Sequence, residues 1–148
     1  MPDKVALIVA VEKYTDSGIP QVDYAENDAI GFSSAMTLHG YTNQQILLNA
    51  QATKTRMESY MRRTIGRLRF DDEFVFYYAG HGFSNNGHNF ITCHDTDTSD
   101  LDKTSLKLQK LFGLIDASPC KRVAMFLDCC ESGITTLARK RGIYGDDV

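Results

Sequence analysis

The stretch EFVFYYAGHG, from Glu73 to Gly82, is a strongly β-prone apolar run that ends in Gly80-His81-Gly82. A second apolar run, RVAMFL over Arg122–Leu127, leads directly into Asp128-Cys129-Cys130-Glu131-Ser132-Gly133. A third, KVALIVAV over Lys4–Val11, opens the chain and is continuous rather than alternating. Continuous apolar runs of this kind are typical of strands that are buried on both faces of a parallel sheet. The three runs therefore predict the centre of such a sheet.

Helical segments separate these runs. Asp23 and Thr53 have side chains suited to cap two helices, and Gly40 is placed to end the first of them in a left-handed conformation. Asn85-Asn86-Gly87 predicts a turn. The predicted elements are helices over residues 23–39, 53–68 and 104–117 and shorter strands over 46–48 and 89–93. Alternating strands and helices predict an α/β fold, a three-layer α/β/α sandwich with a mostly parallel sheet.

Length and charge limit the possible functions. The chain has 148 residues, which suffices for one domain with a core of its own. Its net charge of −3 gives no reason to expect nucleic acid or an acidic membrane surface as a partner. There is no apolar run of about 18 residues and no signal peptide. We therefore expect a cytoplasmic protein with no membrane partner and no nucleic-acid partner.

Cysteine usage agrees with a reducing compartment. The cysteines form neither a regular disulfide framework nor a Cys-x-x-Cys zinc motif. They are Cys93, Cys120, Cys129 and Cys130. His88 and His94 lie close to Cys93 in the sequence, but their spacing matches no common metal site. The sequence thus predicts no metal at this cluster.

If their strands are parallel and adjacent, His81 and one of the two adjacent cysteines lie at the same edge of the sheet. Ligands of open parallel sheets bind beyond this edge, at the carboxyl ends of the strands. Their separation of 49 positions (130 minus 81) leaves room for a hairpin and a crossover helix. An imidazole can remove the proton of a thiol and later protonate a leaving amine. Gly82 would let a backbone N–H group approach a developing oxyanion.

Two motifs carry a resemblance to a known family. Tyr77-Tyr78-Ala79-Gly80-His81-Gly82 resembles the histidine motif of caspase-like cysteine peptidases, and Asp128–Gly133 resembles the cysteine motif of their metacaspase and orthocaspase branch. Asn27-Asp28-Ala29 and the strand order also fit, so that the similarity covers nearly the whole chain. It implies a caspase-hemoglobinase-like fold and a large-subunit-like catalytic portion.

The resemblance also implies a mechanism, namely peptide hydrolysis through an acyl-enzyme intermediate. In the motif Asp-x-Cys-x-Ser-Gly the nucleophile is Cys130, while Cys129 falls on the variable position and is expected to face the interior. His81 would move the proton, and the N–H groups of Gly82 and Cys130 would form the oxyanion hole. No third catalytic member and no cofactor are required by the resemblance.

Substrate preference follows from two acidic residues. Metacaspases and their relatives, which this chain resembles, bind Arg or Lys through an Asp at the position of Asp128 and a second acidic residue that matches Asp28. Two carboxylates in one pocket favour a guanidinium or ammonium group and repel an acidic residue. We expect cleavage after basic residues, with Arg preferred over Lys.

Calcium is a weaker expectation. The loop HDTDTSDLDK has hard oxygen ligands in Asp95, Asp97, Asp100 and Asp102, and several metacaspases are activated by Ca²⁺. The loop lacks the glycine and the closing glutamate of an EF-hand, so a solvated acidic loop is favoured.

Other interpretations stay open. The chain could be a catalytically silent caspase-like module that acts through a regulatory protein partner, or adjacent Cys129 and Cys130 could form a strained disulfide redox switch. The arginines of the helix over 53–68 are expected to lie on a solvated face.

The end of the sequence suggests division into two parts. A catalytic domain over residues 1–138 is followed by a polar tail or intersubunit linker over 139–148, in which Arg139, Lys140 and Arg141 form a possible processing site. Met1 directly precedes the first strand, so no long prodomain is expected. Relatives continue with a small portion, and we expect a small-subunit-like segment or a partner chain to complete the fold.

Overall fold

The computed structural model describes residues 2–130, and for Cys130 the backbone alone. The expected domain boundary after residue 138, the processing site over 139–141, and Glu131, Ser132 and Gly133 lie outside the described residues. Within the described part, the strands of one sheet are β1 (Lys4–Ala10), β2 (Asn43–Leu48), β3 (Glu73–Asn85), β4 (His88–Ile91), β5 (Leu106–Lys107) and β6 (Arg122–Cys130). The helices are α1 (Ala25–Leu38), α2 (Lys54–Gly66), α3 (Leu101–Thr104) and α4 (Leu108–Ala117).

The sheet is mixed, so the expectation of a mostly parallel sheet is met only in part. β1 lies between β2 and β3, β6 pairs with the other side of β3, and these pairings are parallel. β4 and β5 are antiparallel additions. β4 runs antiparallel to β3 because the two strands are joined by a two-residue hairpin at Asn86-Gly87. The φ angles of these residues, 52° and 79°, are left-handed.

The same turn lengthens β3. The apolar run was expected to end at Ala79, but the strand continues through Gly80-His81-Gly82 to Asn85 because its last residues pair with β4. β6 likewise runs on from Leu127 to Cys130. The third predicted helix begins later than expected, since Leu106 and Lys107 pair with β4 before α4 starts.

Alternate residues of β1 enter two different core clusters, which explains its continuous apolar pattern. Ala6, Ile8 and Ala10 pack in a cluster with residues of α1. Leu7 and Val9 pack in the cluster that also contains the apolar residues of α2 and α4. Since successive side chains of a strand point to opposite faces, helices lie against both faces of this part of the sheet.

One helix start was predicted correctly and one was not. Thr53 caps α2, where its hydroxyl oxygen accepts from the N–H group of Arg56 at 3.3 Å. The residue before α1 is Tyr24, with φ 70°, and not Asp23. The carboxylate of Glu12 accepts from the N–H group of Glu26 at 3.0 Å, so a residue distant in sequence does the work expected of a local cap.

Candidate active site

His81 lies where β3 passes from the parallel sheet to the hairpin with β4. Within residues 2–130, it is the last residue of β3 paired with β6, and Gly82 is the first paired with β4. The histidine is 4% exposed. A buried imidazole needs hydrogen-bonding partners, and these determine which of its nitrogens carries the proton.

The imidazole is oriented by the loop that follows β1. Its Nε2 atom lies 2.7 Å from the carbonyl oxygen of Pro20. A carbonyl oxygen only accepts, so Nε2 carries hydrogen and Nδ1 is the basic nitrogen of the neutral ring. The ring of Tyr14, from the same loop, stacks on the imidazole with centroids 5.5 Å apart.

The contact between His81 and the Pro20 carbonyl oxygen is a feature of the candidate site that sequence reasoning missed. The resemblance implied no third catalytic member, whereas here a main-chain carbonyl oxygen holds the imidazole. A carbonyl group belongs to every residue, and therefore no side-chain signal marks it in the sequence. The nearest available signal is Pro20 itself, in a loop with Gly18.

The register of β3 and β6 brings the backbones of His81 and Cys130 together. These residues are direct partners across the parallel pair, and Ala79 is the partner of Asp128. Neighbouring strands lie about 4.8 Å apart. The two residues that the motifs single out are therefore adjacent in the sheet.

Gly82 and Cys129 are in close contact on the other face. A Cβ atom on Gly82 would lie 3.0 Å from the Cys129 sulfur and 3.3 Å from the carbonyl oxygen of Phe90. Cys129 is buried in the cluster that contains α2 and α4, as expected for the variable position of its motif. Gly82 thus has a packing reason to lack a side chain, separate from any role at an oxyanion.

The two acidic residues expected to bind a basic side chain are both exposed, Asp28 on α1 and Asp128 on β6. Both act on the hydroxyl of Tyr77, whose pKa is raised chiefly by burial and further by the negative charges of Asp128 and Asp28. The Tyr77 ring stacks on Phe32 of α1 at a centroid distance of 4.3 Å. Residues of α1, β3 and β6 therefore bring the carboxylates to one region of the surface.

The carboxylates of the acidic loop accept hydrogen bonds from the start of α2, from the loop's own backbone and from the end of β3. Asp95 accepts from the N–H group of Lys54 at 3.0 Å, and Asp97 accepts from that of Ser99 at 2.9 Å. Both carboxylate oxygens of Asp102 accept from the side-chain amide of Asn85. Across residues 2–130, no three His, Cys, Asp or Glu side chains are grouped so that they could hold a metal ion. Asp95, Asp97 and Asp102 are thus used as hydrogen-bond acceptors within the protein.

The helices of the described residues include none that is long and apolar enough to cross a membrane.

Comparison with known proteins gives the family. The family model for the caspase domain of peptidase family C14 matches residues 3–146. The fold is similar to the crystal structure of protein GSU0716 from Geobacter sulfurreducens, with a TM-score of 0.71 and 20% sequence identity, over 87% of this chain and 51% of that one. The chain thus spans about half the length of that structure. None of the curated proteins matches it. Because the family model covers nearly the whole sequence, the chain belongs to the caspase domain family, peptidase family C14.

Proposed function

We propose that the chain is the catalytic portion of a cysteine endopeptidase of the metacaspase branch, which cleaves after basic residues and prefers Arg to Lys. Cys130 is the nucleophile and His81 the proton carrier. The observation that carries the proposal is the pairing of these residues across β3 and β6, with the His81 Nε2 atom held 2.7 Å from the Pro20 carbonyl oxygen. The protein acts in the cytoplasm on protein or peptide substrates.

The contact of the His81 Nε2 atom with the Pro20 carbonyl oxygen leaves Nδ1 as the nitrogen that takes part in proton transfer. Nδ1 of His81 takes the thiol proton of Cys130, and the thiolate attacks the substrate carbonyl carbon. The N–H groups of Gly82 and Cys130 stabilise the oxyanion that forms. The imidazolium then returns the proton to the leaving amine, and water releases the acyl group from sulfur with the same imidazole as base.

Labelling with a thiol-reactive arginyl acyloxymethyl ketone tests the proposal directly. Wild type is expected to form a covalent adduct that peptide mapping assigns to Cys130, because the probe places an electrophile where the peptide bond would be cleaved. The Cys130→Ala variant is expected to form none. Equal labelling of the two proteins would contradict the proposal, and no labelling of either would favour a silent module that acts through a regulatory partner.

Asp128 is proposed to contact the basic side chain together with Asp28. We expect Asp128→Asn to lower kcat/KM for an arginyl peptide by about 10- to 150-fold, the equivalent of about 1.5–3 kcal/mol for a hydrogen bond to a charged group. The measurement is a steady-state comparison of arginyl, lysyl and uncharged peptides. A matched control is Asp116→Asn, since Asp116 is exposed on α4. An equal loss on the uncharged peptide would contradict a role in specificity.

A further segment is proposed to complete this site. Among residues 2–130, β3 is the strand with which β6 pairs, on one of its two edges. Phe126 on this strand is 38% exposed. A small-subunit-like segment or partner chain is proposed to lie beside β6 and to cover this ring. Processing at Arg139, Lys140 or Arg141 would suit an enzyme with basic specificity and stays a prediction.

A further inference from the structure

The backbone N–H and carbonyl groups of His81 take part in a closed ring of hydrogen bonds. Its N–H group donates to the Tyr14 hydroxyl oxygen at 3.1 Å. The hydroxyl groups of Tyr14 and Thr92 are 2.7 Å apart, and the Thr92 hydroxyl donates to the His81 carbonyl oxygen at 3.0 Å. Since Thr92 donates to a carbonyl, its oxygen must accept from Tyr14. In this Tyr14–Thr92 ring the His81 N–H group donates to Tyr14, Tyr14 donates to Thr92, and Thr92 donates back to the His81 carbonyl oxygen.

Other groups reinforce the ring from the interior. The N–H group of Thr92 also donates to the His81 carbonyl oxygen at 3.0 Å, and the Tyr78 hydroxyl shares its one hydrogen between the carbonyl oxygens of Thr92 at 2.8 Å and His81 at 3.1 Å. Tyr78 and Thr92 are fully buried. A hydrogen bond in such surroundings is expensive to leave unmade, because water cannot replace the missing partner. The His81 backbone is thereby tied to three side chains from three parts of the chain.

Tyr14 also contacts the imidazole itself. Its ring stacks on that of His81 at an interplanar angle of 27°, and it lies on the same loop as Pro20. Tyr14 thus touches His81 at two places, the peptide N–H group through its hydroxyl and the imidazole through its ring. A tilt of the Tyr14 ring would displace the imidazole against the Pro20 carbonyl oxygen.

We propose that Tyr14, held by its hydrogen bond to Thr92, is a positioning residue that sets the orientation of the His81 imidazole for proton transfer. The inference rests on the proposed function, since it concerns the same imidazole. It assigns a role to a hydroxyl that the proposed proton transfer does not itself use.

The test uses variants that remove or keep one hydroxyl. Tyr14→Phe and Thr92→Val open the ring with little change of shape, and Thr92→Ser keeps the hydroxyl. The readout is the rate of Cys130 alkylation by iodoacetamide between pH 5 and 10, located by peptide mapping. The remaining thiols, Cys93, Cys120 and Cys129, are buried. A thiol paired with an imidazole reacts at lower pH than an ordinary cysteine.

We expect Tyr14→Phe and Thr92→Val each to move the alkylation profile toward that of an ordinary thiol by about one pH unit, a tenfold lower rate on its acid limb. Thr92→Ser is expected to keep the wild-type profile. The double variant should shift no further than either single one, because both open the same ring. With an arginyl peptide, the loss should appear in kcat and not in KM.

A matched control separates positioning from stability. Tyr41→Phe also removes a hydroxyl that donates a hydrogen bond, to the carboxylate of Glu73 at 3.0 Å, and is expected to leave the alkylation profile unchanged. If the alkylation profiles of Tyr14→Phe and Thr92→Val coincide with that of wild type, the positioning role of Tyr14 is wrong, and the proposed function is unaffected. If His81→Gln also leaves the wild-type profile unchanged, the proposed proton transfer between Cys130 and His81 is wrong, and the positioning role of Tyr14 is wrong with it.

Discussion

Replacing His81 by Gln is expected to lower kcat for an arginyl peptide by about 10²- to 10⁴-fold, the usual contribution of a general acid–base group. Glutamine retains an amide that can donate to the Pro20 carbonyl oxygen, but it cannot accept and return the thiol proton near neutral pH. Cys130→Ala is expected to remove activity altogether, because no covalent intermediate can form. Steady-state kinetics with wild type, His81→Gln and Cys130→Ala measure both effects.

The control for His81 is His39→Gln. His39 is exposed at the end of α1, where its carbonyl oxygen accepts from the side-chain ammonium of Lys4 at 3.0 Å, and that contact uses no imidazole atom. Activity of His39→Gln should equal that of wild type. A loss of less than tenfold in His81→Gln, or an equal loss in His39→Gln, would remove His81 from the proposed mechanism.

The local sequence predicted those parts of the fold that depend on apolar periodicity. The runs at the start of the chain, before His81 and before Cys130 are the central strands β1, β3 and β6, as expected from their uninterrupted apolar character. The pairing of His81 with Cys130 follows because both runs are parallel and both continue into their motifs. Sequence order and apolar character brought His81 and one of the two adjacent cysteines to one sheet edge, whereas the choice of Cys130 over Cys129 came from the resemblance to the cysteine motif.

Contacts between distant residues could not be predicted in the same way. The Glu12 carboxylate that accepts from the start of α1 is 14 positions from its donor. Pro20 is 61 positions from His81, and Tyr14 is 78 positions from Thr92. Such contacts depend on where a loop is placed by the rest of the fold, and a single sequence contains no periodicity that reports it. The strand expected over residues 89–93 is present as β4, whereas β5 was missed because its two residues were predicted to belong to a helix and only their pairing with distant β4 makes them a strand.

The glycine before His81 shows how packing in this site constrains the motif. A Cβ atom on Gly80 would lie 2.7 Å from the Cζ atom of Tyr78 and 3.2 Å from the Tyr14 hydroxyl oxygen. Tyr78 cannot swing aside, because it is fully buried and its hydroxyl also donates to the Thr92 carbonyl oxygen at 2.8 Å. An extra methyl group at residue 80 must therefore push against the side chains that hold His81.

We accordingly expect Gly80→Ala to lower the free energy of unfolding by about 1–3 kcal/mol, the usual range for overpacking a tight interior site. Thermal and urea unfolding measure the change, at about 2–4 °C in Tm per kcal/mol for a chain of this size. Tyr78→Phe in the same chain removes the hydroxyl that the new methyl group meets, so Gly80→Ala should destabilise that background less than it destabilises wild type.

Gly31→Ala is the matched control for the same substitution without the clash. Gly31 lies inside α1, and among the described residues no atom beyond its chain neighbours and the backbone of its own helix lies within 4 Å of the position that its Cβ would occupy. Alanine is the better helix former, so Gly31→Ala should raise the free energy of unfolding by about 0.5–1 kcal/mol. The two substitutions are chemically identical and should change stability in opposite directions. Equal stability of Gly80→Ala and wild type would mean that Tyr78 and Tyr14 yield easily, and the rigid support that we assign to His81 would then be wrong.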